Sequence, residues 1–304
     1  MALGGNALLN KGDRPTFDVQ MGNVESAVRS MAGVLSWDDM QFVMTHGNGP
    51  QVGSEVLRNE AASAAVPKLP LHILSGETQA LIGSMLERAI SQEFRARGVR
   101  KRICTIVTHT LVEKDDPAFG RPTKPIGPFY SKPQLDAALK AEKFSHVKVD
   151  GGYRRVVASP KPIGIVEADA ILRLLDEGYS VICCGGGGIP VCEDRGRYLP
   201  MDSVIDKDLA TQVAANALGA RKMVILTAIE RVYRDYANRK GPIASISCSR
   251  LRPMMAGFEE GSIRPKLEAC ARFVENGGRM SKIGHLTKLQ DVLAGRSGTT
   301  VTIG

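Results

Sequence analysis

The 304-residue sequence predicts an α/β protein built on a largely parallel sheet with helices on both faces. Three observations point there. Apolar runs without polar alternation recur between stretches of helical period, several of those runs end in Gly-rich turns, and the composition (43% hydrophobic, 24% charged) is that of an ordinary globular chain. A chain of this length can build one large core, so a single domain over 1–304 with a smaller inserted lobe is expected.

Along the chain, Gly4-Gly5-Asn6 is the first Gly-rich turn. Gln41 to Thr45 reads as a strand, His46-Gly47-Asn48-Gly49-Pro50 as a tight turn, and Gln51 towards Glu60 as a helix. Arg102 to Val107 is a further strand. From Glu113 to Pro162 the alternation stops in favour of Pro, Gly and charge, with a short β-like piece at Tyr153 to Val157. Such a stretch is too long for a plain connection, so it is expected to form a lid or small subdomain. Tyr179 to Cys184 is the next strand and runs into Gly185-Gly186-Gly187-Gly188. Asp206-Lys207-Asp208-Leu209 opens a helix with Leu209, Val213, Ala217 and Leu218 on one face and Gly219 at its end. Lys222 to Thr227 is a buried strand. Pro265 suits the first turn of a last helix, with Leu267, Cys270, Ala271 and Val274 inward and Gly277-Gly278 closing it.

Function classes can be excluded on the same grounds. The net charge of +8 comes from dispersed Lys and Arg with neither a like-charge block nor stacking aromatics, so an anionic small substrate is expected and nucleic acid is not. No apolar run reaches the roughly 18 residues of a membrane span. The opening Met1 to Asn6 lacks the basic and apolar regions of a signal peptide, and the six cysteines read as reduced thiols, so a cytoplasmic protein is expected. Neither the cysteines nor the five histidines have metal-ligand spacing, and no metal-ligating residue is assigned. G-x-x-x-x-G-K-S/T, G-x-G-x-x-G and protein-kinase signatures are missing.

What remains is chemistry for phosphate. In an open parallel sheet, turns such as 4–6, 47–49 and 185–188 collect at the carboxyl ends of the strands, where backbone N–H groups approach an anion closely. Three lysines sit in restrained contexts: Lys124 within Pro122-Thr123-Lys124-Pro125, Lys207 between two aspartates at a helix start, and Lys266 directly after Pro265. Phosphoryl transfer needs aimed cations and little covalent chemistry of its own, and Asp208 beside Lys207 can orient an ammonium group.

Taken together, these blocks resemble the carbamate kinases of the amino-acid-kinase superfamily over nearly the whole chain. The resemblance is carried by Ala2 to Leu8, Thr45-His46-Gly47-Asn48-Gly49-Pro50-Gln51-Val52-Gly53, Gly76-Glu77-Thr78-Gln79, Pro122 to Gly127 and Tyr153 to Val157. It continues through Gly185 to Val191, Val204 to Ala210, and Gly261-Ser262 with Pro265-Lys266. It implies a three-layer sandwich around a mainly parallel sheet, a protruding subdomain and a homodimer. It also implies reversible phosphoryl transfer between ATP and carbamate in carbamoyl phosphate metabolism, with Mg²⁺ carried on the ATP or ADP phosphates.

By motif, Gly4, Gly5, Asn6, Thr45, Gly47, Asn48, Gly185, Gly186 and Gly187 would hold the phosphoryl group and the acceptor. Lys124 would swing in from the subdomain. Lys207 and Lys266 would neutralise the transferring charge with Asp208 organising them, and Thr227, Tyr233 and Gly261 would lie near the nucleotide. The sequence departs from the pattern in four places. Only Met1 precedes the Ala-Leu-Gly-Gly-Asn block, so a short first strand is expected. Ala228 stands where Asp is usual, Arg264 where Gly is usual, and Arg234 to Ile243 lacks the usual pattern. The last three lie on the nucleotide side and leave open a relative with altered nucleotide or acceptor preference, or a non-catalytic one.

Overall fold

The apolar runs become strands because both faces of the sheet they form are covered. A computed structural model describes all residues except 6, 7, 11, 236, 237 and 260–262, so Asn6 and Gly261 lie outside the described residues. The chain begins with β1 (Ala2–Leu3), α1 (Phe17–Leu35), β2 (Val43–His46), α2 (Gly49–Ala61), α3 (Leu71–Ala96) and β3 (Arg102–Thr105). Then come β4 (His109–Val112), β5 (Lys124–Tyr130), α4 (Lys132–Ala141), β6 (His146–Val149), β7 (Gly152–Val157) and β8 (Pro162–Ile165). Next are α5 (Ala168–Asp176), β9 (Tyr179–Ile182), β10 (Ile189–Asp194), β11 (Arg197–Pro200), α6 (Lys207–Ala217) and β12 (Lys222–Thr227). The last part holds β13 (Val232–Asp235), β14 (Lys240–Ile243), β15 (Ser245–Ser247), α7 (Cys248–Met254), α8 (Ile263–Glu275), β16 (Met280–His285), α9 (Leu289–Ala294) and β17 (Thr299–Thr302).

The large sheet runs β15-β17-β16-β12-β1-β2-β9-β3, and every neighbouring pair is parallel except β16 with β17. The expected three-layer α/β arrangement is therefore present. Leu3, Met44, Val224 and Leu226 pack into one apolar cluster with α1, α3 and α9, including Val28, Met31, Leu86, Ile90 and Val292. Ala2, Met223, Ile225 and Ile283 point the other way, against Leu251 of α7 and Leu267 and Phe273 of α8. Each fully buried Leu or Phe side chain contributes about 1.5–3 kcal/mol by leaving water.

The first strand is indeed short, two residues, yet it sits mid-sheet between β12 and β2. Two lysines close helix ends rather than face solvent. Lys282 Nζ donates to Val292 O at 2.8 Å and Leu293 O at 3.0 Å in the last turn of α9, and Lys101 Nζ donates to Leu35 O at 3.2 Å at the end of α1.

Between Lys124 and Val157, a three-stranded antiparallel sheet β5-β7-β6 with α4 stands apart from the large sheet. It rests on α2 and α3 through an apolar cluster joining Val52, Val56 and Leu74 to Ile126 and Val157. Here backbone meets backbone: a Cβ on Gly53 of α2 would lie 3.2 Å from Gly127 Cα.

The turn at Gly185 to Gly187 leads through Gly188 into β10, not into a helix. One detail differs from the sequence reading. The inward face of α6 is Asp208, Ala210, Thr211, Gln212 and Ala214, while Leu209, Val213 and Leu218 are half-buried and Ala217 is exposed. The helix lies where the sequence put it, but apolar periodicity misjudged its inward face because its first turns carry buried polar residues.

Candidate active site

The Gly-rich turns gather where the central strands end. Gly4 N–H donates to Leu226 O at 3.0 Å, and Gly47 N–H donates to Leu3 O at 3.2 Å. A Cβ added to Gly47 would come within 3.3 Å of Lys207 Cδ and 3.5 Å of Gly5 N, so the two turns and the lysine stem converge. Behind them, Thr45 Oγ1 lies 2.6 Å from Thr211 Oγ1, which ties β2 to α6. Thr45 thus lies buried beneath the turns.

The third turn closes over the second. Gly186, with φ +62°, could not carry a side chain, because a Cβ there would lie 2.1 Å from Asn48 Nδ2. Asn48 Nδ2 donates to Thr78 Oγ1 at 2.9 Å. Gly185 packs on His46 and Gly187 on Ile205. Gln79 braces the turn from α3: it accepts from Thr108 N and Oγ1, and Thr108 Oγ1 in turn accepts from Cys184 N at 2.7 Å.

Burial pushes the His46 imidazole down to about 4, with the Lys207 ammonium adding to the effect and the bond from Nδ1 to Gly47 O opposing it. The ring is therefore neutral at physiological pH. An unfolded His takes up its proton near pH 6.5 and the folded one near 4, so His46 subtracts stability as pH falls through that interval, by up to about 3 kcal/mol, and is silent above it. A proton NMR titration should give the His46 ring a midpoint well below the roughly 6.5 of an unfolded imidazole; a midpoint at that ordinary value would refute this burial effect.

The cations are held by two aspartates at the start of α6. Asp206 caps the helix, its Oδ1 accepting from Asp208 N at 3.0 Å and Leu209 N at 3.4 Å. Its Oδ2 pairs at 2.8 Å with Nζ of Lys124, which opens β5 of the small antiparallel sheet. Burial alone would raise the Asp206 pKa, but Lys124, Lys207 and Lys266 together hold it down at about 2. Asp208 is 2% exposed; its Oδ1 pairs with Lys207 Nζ and its Oδ2 with Lys266 Nζ at 3.3 Å. The three sequence-selected lysines, from the lid, α6 and α8, thus meet around two neighbouring carboxylates.

Beside them opens a cavity of about 460 Å³, lined by Gly4, Gly5, Lys207, Thr227, Ala228 and Lys266 among others. A second, of about 290 Å³, continues past Ala228 to Tyr233 and Arg239. Ala228, His285 and Thr287 line both. Thr227 and Tyr233 therefore sit in adjoining spaces, whereas Thr45, Asn48 and Gly185 to Gly187 line neither cavity and pack together behind the Gly47 turn. Sequence reasoning missed Asp206 as a partner of Lys124, the Gln79 brace and His285. Asp206 carried a signal in its place at a helix start, and Gln79 in the Gly76-Glu77-Thr78-Gln79 block.

The amino acid kinase family model matches residues 1–285. The carbamate kinase of Pyrococcus horikoshii is 40% identical over 309 residues, covering 99% of this chain and 98% of its own. That of Halobacterium salinarum is 41% identical over 310 residues, covering 99% and 97%. Among solved structures, the carbamate kinase from Giardia lamblia bound to AMP-PNP superposes with a TM-score of 0.90 at 36% identity, covering 99% of this chain and 96% of that one. The chain belongs to the amino acid kinase family and, within it, to the carbamate kinases.

Proposed function

We infer that the chain moves a phosphoryl group reversibly between ATP and carbamate: carbamoyl phosphate and ADP give carbamate and ATP, and the reverse. The observation that carries this is the meeting of Lys124, Lys207 and Lys266 about Asp206 and Asp208 beside a nucleotide-sized cavity. The transition state spreads negative charge over the phosphoryl oxygens, and ammonium groups already held in place stabilise it without reorganising. Carbamate is a small planar anion and asks for backbone donors close at hand; the Gly4 and Gly47 N–H groups are taken up by Leu226 O and Leu3 O, which leaves the Gly5 N–H beside Gly47 as the candidate donor. In this reading Lys207 and Lys266 bracket the phosphoryl group, Asp208 fixes them, Lys124 reaches in from the lid, and Thr227 and Tyr233 lie along the nucleotide.

Mg²⁺ fits this site as a companion of the nucleotide. Asp206 and Asp208 are each committed to lysine ammonium groups, so the ion would be held mainly by phosphate oxygens, where it would screen their charge. A cytoplasmic homodimer in carbamoyl phosphate metabolism belongs to the same proposal and rests on the family; among the described residues, no helix is long and apolar enough to cross a membrane.

Incubation with ADP, Mg²⁺ and carbamoyl phosphate, with ATP read by a coupled assay, tests the reading. ATP formation supports it, and ADP binding without ATP formation rejects it.

A further inference from the structure

We propose that Asp206 is a positioning residue that stations the lid lysine Lys124 beside the path of the phosphoryl group, one carboxylate serving as helix cap and lid dock at once. The proposal rests on the reading above in which Lys124 acts on the transferring group.

The geometry divides the carboxylate between two tasks. Oδ1 is fixed by two backbone N–H groups of α6, so the side chain cannot swing, and Oδ2 is thereby aimed at the lid. Lys124 opens β5, and its ammonium lies 2.8 Å from that oxygen although the two residues are 82 positions apart. A lysine stem has many rotamers, and an unheld ammonium would spend most of its time in water. Asp206 is the side chain recorded against it, with a side-chain exposure of 14%. Its ionised form is strongly favoured, since burial is outweighed by Lys124 first and by Lys207 and Lys266 after it. The next residues along α6 carry Lys207 and Asp208, so any shift of the cap moves the lid lysine and the inner lysines together. Asp208 orders the two inner cations; Asp206 brings the outer one to them.

A cap alone and a cap that also docks the lid make different predictions. Asn caps helices about as well as Asp but has no charge to hold an ammonium group. Four full-length proteins decide the matter: the parent, Asp206→Asn, Lys124→Ala and the double variant, each assayed for ATP formation from ADP and carbamoyl phosphate. We expect Asp206→Asn to lower kcat by about 10²-fold, the scale of a misplaced reacting group, with the KM for ADP nearly unchanged. In the Lys124→Ala background the same change should have no further effect on kcat. Asp206→Ser, which also caps, serves if the Asn variant folds poorly. Unchanged kcat in Asp206→Asn, or an equal loss with and without Lys124, overturns the proposal. A parent that makes no ATP brings down the functional reading and this proposal with it. An active parent with an inactive Lys124→Ala variant and a fully active Asp206→Asn variant removes this proposal alone.

Discussion

Lys124→Ala is expected to reduce turnover by about 10²–10³-fold while ADP binds almost as before. The asymmetry follows from where the lysine is held. Lys207 and Lys266 line the larger cavity, whereas Lys124 comes from β5 and, among the described residues, pairs with Asp206. Its loss therefore removes charge from the transition state more than from bound nucleotide. The loss of rate corresponds to about 2.7–4 kcal/mol, the scale of one missing donor to a developing anion. Steady-state kinetics paired with calorimetric ADP titration separates the two quantities. A variant as fast as the parent, or one whose defect is entirely in ADP affinity, would remove Lys124 from its assigned role.

The second large effect is on stability as well as rate. Asp208→Ala leaves the Lys207 and Lys266 ammonium groups facing each other with their shared carboxylate gone, at a position only 2% exposed. Breaking such an arrangement by removing one partner costs about 3–5 kcal/mol, because the remaining charges stay desolvated and repel. Thermal unfolding should report a drop of roughly 10 °C in Tm. Bound ADP brings negative charge back to the same lysines. The rise in Tm on adding ADP should therefore be larger for Asp208→Ala than for the parent. An equal ADP-induced rise in both proteins would show that Asp208 does not hold these cations for phosphate.

Much of the site was legible because local chemistry reports on it. Glycines at 4, 47 and 185 to 187 mark places where chain must approach chain, and prolines beside Lys124 and Lys266 mark restrained backbones. The large sheet was legible for a similar reason, since strands buried on both faces cannot alternate polar and apolar residues. What escaped were relations made by the fold. Asp206 is a helix cap in any local reading, and its bond to Lys124 appears only once the lid is set against α6. The Gln79 brace joins α3 to Thr108, just before β4, and to Cys184, just after β9, a link between three distant segments that no local pattern discloses. The inward face of α6 was misplaced because Asp208, Thr211 and Gln212 are buried for the sake of the site, against hydrophobic period.

The contact between Gly53 and Gly127 has a mechanical consequence. α2 follows directly on Asn48 and carries the small antiparallel sheet on its flank, with no side chain between the Gly53 and Gly127 backbones to act as a cushion. Packed elements of this kind shift as stiff bodies rather than bending. A tilt of the small sheet is thus felt at the far end of a short rigid rod, at the turn that carries Asn48.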